Sequence, residues 1–149
     1  MPVIKSNVII YAPFERVWDV ATRVEEFPDF IEDLKSLTVL ERLEDGRKTI
    51  TEWVGVVREF GMTIKWTEED IWDREARTCT FRMVKGDLDK YEGTWTFTPN
   101  GDTVSFDSVI EFEHNVPLIG PMIKNLITAK LQESTDKILA AIKEKSEES

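Results

Sequence analysis

Two acids, Glu68 and Asp70, stand two residues apart in the run Trp66-Thr67-Glu68-Glu69-Asp70-Ile71-Trp72. In a strand, residues i, i+2 and i+4 share one face. The spacing therefore puts two carboxyls between two tryptophans. If that face is covered, an unpaired carboxylate is driven toward its protonated form. A carboxyl tuned in this way suits general acid or base work near neutral pH. Three surroundings are open to the two acids: mutual pairing, solvation by a cavity, or a wet rim of the sheet where they do nothing. Glu68 and Asp70 are the catalytic candidates, and otherwise polar groups that orient a ligand.

The remaining chemistry is sparse. His114 is the single histidine, and it sits at a strand end beside Asn115 and Val116 with no nucleophile signature near it. It reads as a surface residue. Cys79 is the single cysteine, which excludes an internal disulfide and a cysteine-rich metal site. No spacing suits a metal. No glycine-rich phosphate loop is present, so no cofactor is expected.

The chain has 149 residues, 41% apolar and 32% charged, which suits one globular domain over residues 1–149. No apolar run is long enough for an integral membrane span. Nineteen basic against 29 acidic residues give a net charge of −10. That excess repels phosphate backbones and anionic lipid surfaces, so nucleic acid is not an expected partner. The first residues lack a secretory pattern, and a cytoplasmic location is expected. Five Trp and eight Phe supply large apolar faces, either for a core or for a ligand cavity.

The elements that must hold these residues follow from pattern. Residues 3–11 read as a strand and 13–24 as an amphipathic helix with Pro13 at its start. Phe27, Phe30, Ile31 and Leu34 suggest a second short helix. Six meander strands are expected near 36–44, 47–59, 62–73, 77–85, 91–98 and 103–113. Asp45-Gly46 and Asn100-Gly101 are hairpin signals, and Phe60-Gly61 reads as another tight turn. Residues 121–144 carry no Gly or Pro, and Ile123, Leu126, Ile127, Leu131, Ile138 and Ile142 form a stripe on one long helix. Ser134 and Thr135 fall on its inner half, as core hydroxyls or ligand contacts. The fold class is α+β: a curved seven-stranded antiparallel sheet wrapped on a long C-terminal helix, with two short helices between strands 1 and 2.

Turn placement fixes register, and register fixes faces. Two-residue turns pair Trp95 with Phe106, Phe97 with Val104, Tyr91 with Ile110, Trp53 with Glu68, Gly55 with Trp66 and Val57 with Ile64. The inner row of the fourth strand is then Met62, Ile64, Trp66, Glu68, Asp70 and Trp72. A two-residue loop at 74–76 turns Phe81 and Met83 inward, whereas a three-residue loop turns Arg82 inward opposite Glu68. Gly55 and Gly93 are expected to leave space beside Trp66 and Trp95, as a cavity needs. Trp18 reads as core.

The run APFERVWDV at 12–20, with EEFPDFI at 25–31, resembles the opening of START-like, helix-grip proteins. The similar branches are the polyketide cyclase/dehydrases and the coenzyme-Q-binding proteins. Trp53, Trp66, EGTWTF at 92–97 and PLIGP at 117–121 extend the resemblance over nearly the whole chain. It implies a helix-grip fold with a deep apolar cavity between sheet and long helix, where members hold lipids, quinones, sterols or polyketides. Phe27, Ile31, Trp66 and Trp95 match cavity positions of aromatase/cyclases. Those enzymes tend to carry a tyrosine at Leu34, and a serine and an arginine at Glu68 and Asp70. An aspartate in place of an arginine reverses the charge that would steady an enolate oxygen.

The first reading is therefore a binder or carrier of a hydrophobic small molecule (lipid, quinone or polyketide-like). Its wall would comprise Phe27, Ile31, Trp53, Trp66, Phe81 and Met83. Tyr91, Trp95, Phe106, Ile123, Ile127 and Leu131 complete it. The second is a cyclase-like enzyme using Glu68 or Asp70. The third is an interaction module that presents Leu118 and Ile119 to a protein partner.

Overall fold

The structure, a computed structural model, describes residues 3–58, 61–86, 88–113 and 121–148, side chains excepted at 62 and 121–124. His114, Leu118 and Ile119, and the side chain of Ile123, lie outside the described residues.

Strand β1 (Val3–Ile10) turns Ile4 and Ile10 into the core. Pro13 caps helix α1 (Phe14–Thr22), whose Val17, Trp18 and Ala21 are buried. Helix α2 (Phe27–Phe30) is a single turn. Asp33 adopts a left-handed φ of 68° just after it. The chain bends there, and Leu34 opens β2 (Leu34–Leu43) instead of extending the helix. The strands β3 (Lys48–Val57), β4 (Met62–Asp73), β5 (Thr78–Lys85), β6 (Lys90–Asn100) and β7 (Thr103–Glu113) follow. The sheet order is β1-β7-β6-β5-β4-β3-β2, with every neighbouring pair antiparallel. Helix α3 (Pro121–Glu147) closes the chain. No helix among the described residues is long and apolar enough to cross a membrane.

The β3–β4 and β6–β7 turns are centred one residue away from the places the sequence suggests, which slips the pairing by two residues. Asn100 pairs with Thr103, so the β6–β7 turn is Gly101-Asp102. Gly101 has φ +63°, the conformation a glycine supplies at the first central position of a hairpin turn. Trp95 therefore lies opposite Ser108, Phe97 opposite Phe106 and Tyr91 opposite Phe112. Likewise Trp53 lies opposite Trp66, Gly55 opposite Ile64 and Val57 opposite Met62. Leu43 pairs with Lys48, which makes 44–47 a four-residue connection and not a two-residue Asp45-Gly46 turn. Asp73 pairs with Thr78, so the β4–β5 loop is also four residues long. Phe81 and Met83 face inward as preferred. Arg82 faces outward beside Glu69, 3.3 Å away, and not opposite Glu68.

Helix α3 runs close to β1 and α1. Lys143 Nζ donates to the Ile9 carbonyl at 2.7 Å, Gln132 Nε2 to the Lys5 carbonyl at 3.0 Å, and Ser6 Oγ to Asp136 at 2.6 Å. The buried line of the helix is Thr135, Leu139 and Ile142. The expected stripe is corrected at two places: Leu126 is 40% exposed, and Ser134 is exposed.

Candidate functional site: a carboxyl pair among aromatic rings

The inner rows of β3 and β4 meet in register. Thr49, Thr51 and Trp53 on β3 lie opposite Asp70, Glu68 and Trp66 on β4. On the other side Phe81 and Met83 of β5 lie opposite Asp70 and Glu68. A break in the β4–β5 pairing falls between Thr67 and Glu68. Such bulges bend a strand and re-aim the next side chain.

Glu68 and Asp70 are each only 4% exposed, so the wet-rim reading is overturned. They are hydrogen-bonded to one another. Thr51 Oγ1 donates to Asp70 Oδ2 at 2.6 Å, and Thr49 Oγ1 reaches the same oxygen at 3.3 Å. Trp53 Nε1 donates to Thr51 Oγ1 at 2.9 Å, and Trp66 Nε1 donates to Glu68 Oε1 at 2.8 Å. Burial and the neighbouring Asp70 charge push the Glu68 carboxyl well above the usual glutamate range, against the pull of the Trp66 N–H. Burial also raises Asp70, opposed by the donors from Glu68, Thr51 and Thr49. Burial thus drives both carboxyls toward their protonated forms, Glu68 the more strongly. Burial, with these acids behind it, raises the Cys79 thiol and the Tyr91 hydroxyl as well.

The rings close around the pair. Trp53 and Trp66 stack with centroids 5.6 Å apart and planes 15° apart. Tyr91 stands 6.4 Å from Trp66 and 6.0 Å from Phe81. Asp33 holds α3 to this side of the sheet: Lys137 Nζ donates to it at 3.1 Å and Arg58 Nε at 2.5 Å. Burial raises the Asp33 carboxyl, but the Lys137 and Arg58 bonds outweigh it and set it below the usual range.

The expected wall divides in two. Phe27, Ile31, Trp53, Phe81, Trp95 and Phe106 are buried in the core. Trp66, Met83, Tyr91, Ile127 and Leu131 are half-buried. The space expected beside Gly93 is filled: a Cβ there would meet the Val109 carbonyl at 2.6 Å and the Phe81 ring at 2.8 Å. Beside Gly55 the Trp66 ring lies 3.7 Å from where a Cβ would stand, an ordinary contact. Trp66 is therefore not flanked by a void on that side; Trp53 and the Gly55 backbone support it.

Two recesses lie away from this wall. One, of about 650 Å³, opens at the β2–β3 and β4–β5 turns and reaches the inner face through Thr49 and Trp72. The other, of about 340 Å³, is on the outer face between Ile71 and Val109. Among the described residues no cluster of His, Cys, Asp and Glu could hold a metal. Sequence reasoning missed Thr49 and Thr51. Their signal was present, since they share the parity of Trp53 on β3.

The family model for polyketide cyclase/dehydrase and lipid transport matches residues 10–142. A crystal structure of a Thermus thermophilus protein is 31% identical, superposes with a TM-score of 0.88 and covers 97% of each chain. An aromatase/cyclase of Streptomyces sp. R1128 is 17% identical, with a TM-score of 0.88 over 98% of this chain and 93% of its own. Among curated sequences, a putative polyketide cyclase of Streptomyces halstedii is 26% identical over 100 residues, 65% of this chain and 90% of that protein.

Proposed function

Because the chain belongs to the polyketide cyclase/dehydrase and lipid transport family, we propose that it binds or carries a hydrophobic small molecule between the sheet and α3. The ligand is lipid, quinone or polyketide-like. One observation carries this reading: apolar side chains that point inward stay half-buried at one end of the face. Trp66, Met83, Leu88 and Tyr91 on the sheet side and Ile127 and Leu131 on α3 are all half-buried. Apolar surface left open toward the interior is what a ligand covers. Phe27, Ile31, Trp53, Phe81, Trp95 and Phe106 form the floor.

The test is native mass spectrometry of protein purified without added ligand, beside a fluorescence titration with a hydrophobic quinone. A mass adduct and quenching of tryptophan emission are expected, with affinity reduced in Trp66→Ala. Absence of both adduct and quenching would overturn the reading.

A second reading is favoured by the carboxyl pair. Burial raises both Glu68 and Asp70 in one site, the kind of tuning that general acid/base catalysis uses. Under this reading the chain turns over a polyketide-like substrate with Glu68 or Asp70 as acid/base. Product formation with a poly-β-ketone substrate, abolished in Glu68→Gln and Asp70→Asn, is the expected result. Unchanged turnover in both variants rules it out.

A further inference from the structure

Among the described residues the carboxyl pair has no counter-ion: no Lys, Arg or His pairs with Glu68 or Asp70. The nearby cations belong to the outer face, where Glu69 takes Lys48 at 3.6 Å and Arg82 at 3.3 Å. Every protein donor on the pair, apart from the shared proton, is a neutral group: the Trp66 indole and the Thr49 and Thr51 hydroxyls. The two carboxyls are therefore buried side by side with only two hydroxyls and one indole N–H donated to them by the described residues.

Burying a charge is costly unless an opposite charge joins it. The surroundings offer such a charge a second attraction. Aromatic rings cluster beside the pair: Trp66 donates to Glu68 and stacks on Trp53, and Tyr91 stands near Trp66 and Phe81. Electron-rich ring faces attract cations, most strongly where water is excluded. A carboxylate or phosphate on the ligand would meet two buried acids and no described cation, in a low dielectric.

We infer that the ligand of this site is a hydrophobic organic cation, an aromatic or other planar body bearing a protonated amine. The ammonium sits at the Glu68–Asp70 pair and the body lies along Trp66 and Tyr91. This rests on the ligand-binding reading above and narrows it to one class of charge.

Three probes with one ring system separate the possibilities: naphthylmethylamine, naphthylmethanol and naphthoate, titrated calorimetrically at neutral pH into the intact chain. The amine binds roughly tenfold or more tightly than the alcohol, as a hydrogen bond to a charged group predicts, and naphthoate binds most weakly. Asp70→Asn erases the preference for amine over alcohol. The wild-type ranking needs no variant. A shift of the Trp66 Nε1–H resonance on adding the amine places the probe at the pair, and its absence overturns the assignment. The inference is also overturned if alcohol or naphthoate matches the amine, if none of the three binds, or if a folded Asp70→Asn keeps the preference. The mass-adduct experiment decides the ligand-binding reading independently of these outcomes.

Discussion

Trp72 and Trp66 occupy the same face of the same strand, yet the structure uses them in opposite ways. Trp72 is buried edge-on against Trp18 of α1 at 5.7 Å and Trp95 at 6.3 Å. Around it Phe97 stacks on Phe106 at 4.5 Å, and Trp95 stands edge-on to Phe106 at 5.3 Å. This half of the inner face interdigitates with a helix. Among the described residues Trp66 has ring partners only from the sheet, Trp53 and Tyr91, and its indole N–H is committed to Glu68. Aromatic content alone therefore does not mark a ligand wall. What separates the halves is whether a helix side chain fills the space over the ring, and whether polar groups stand beneath it.

The largest effect should come from the packed half. Trp95→Ala removes a ring held between Phe27, Phe81, Phe97 and Phe106. The expected loss is about 3–5 kcal/mol, as for a large ring cut from a core. Trp66→Ala loses a half-buried ring and should cost clearly less, about 1–2 kcal/mol. Chemical denaturation of both variants checks this. Equal losses would erase the distinction between the halves.

Next in size is Thr51→Val, which keeps the shape and removes the hydroxyl. Asp70 Oδ2 loses its shortest donor and Trp53 Nε1 loses its acceptor. Leaving buried polar groups unpaired costs about 1–3 kcal/mol each. We expect a loss of about 2–3 kcal/mol at neutral pH, shrinking in acid as Asp70 takes up a proton. A loss that stays constant with pH would mean that Asp70 carries no charge in the folded chain.

Glu68→Gln gives the third effect and fixes the sign of the pair's pH dependence. The Glu68 pKa is raised on folding from the ordinary value of 4.5, and that of Asp70 from 3.8. The unfolded chain therefore releases these protons first. The pair's contribution to stability is complete below the unfolded values and is lost as pH rises through the folded ones. Wild type should lose stability on going from acid toward neutral and beyond. Glu68→Gln should match it near pH ~4 and exceed it by about 1 kcal/mol or more on the alkaline side. Urea midpoints across that range decide it. A variant curve parallel to wild type would show that Glu68 titrates normally.

The comparison also explains what the sequence could show. Alternation assigned Trp66, Glu68, Asp70, Trp95 and Phe106 to the inner face correctly although the turns were misplaced. A two-residue slip preserves parity, and parity alone decides the face. Cross-strand partners do depend on the turn. The stacking of Trp53 on Trp66 was therefore invisible. Whether Glu68 and Asp70 were wet or dry depended on what lies over and beside them, a tertiary property that spacing does not encode. The void expected next to Gly93 failed for a similar reason. A missing side chain makes room, but Phe81 and Ile110 take that room.

The smallest effect concerns a polar group in the apolar half. Ser108 lies opposite Trp95 and Ser6, is 0% exposed, and its Oγ has no hydrogen-bond partner among the described residues. Asp70, by contrast, accepts from the hydroxyls of both Thr49 and Thr51. A buried hydroxyl without a partner loses its hydration and gains nothing in return. Ser108→Ala removes that group and leaves a gap too small to matter greatly. The expected change is a gain of a few tenths of a kcal/mol, at most about 1 kcal/mol. Affinity for naphthylmethylamine should be unchanged, because Ser108 belongs to the half packed without a ligand. A loss of stability beyond ~1 kcal/mol would reveal an ordered water bonded to Ser108. Weaker amine binding would extend the ligand site across to β7 and join the two halves into one.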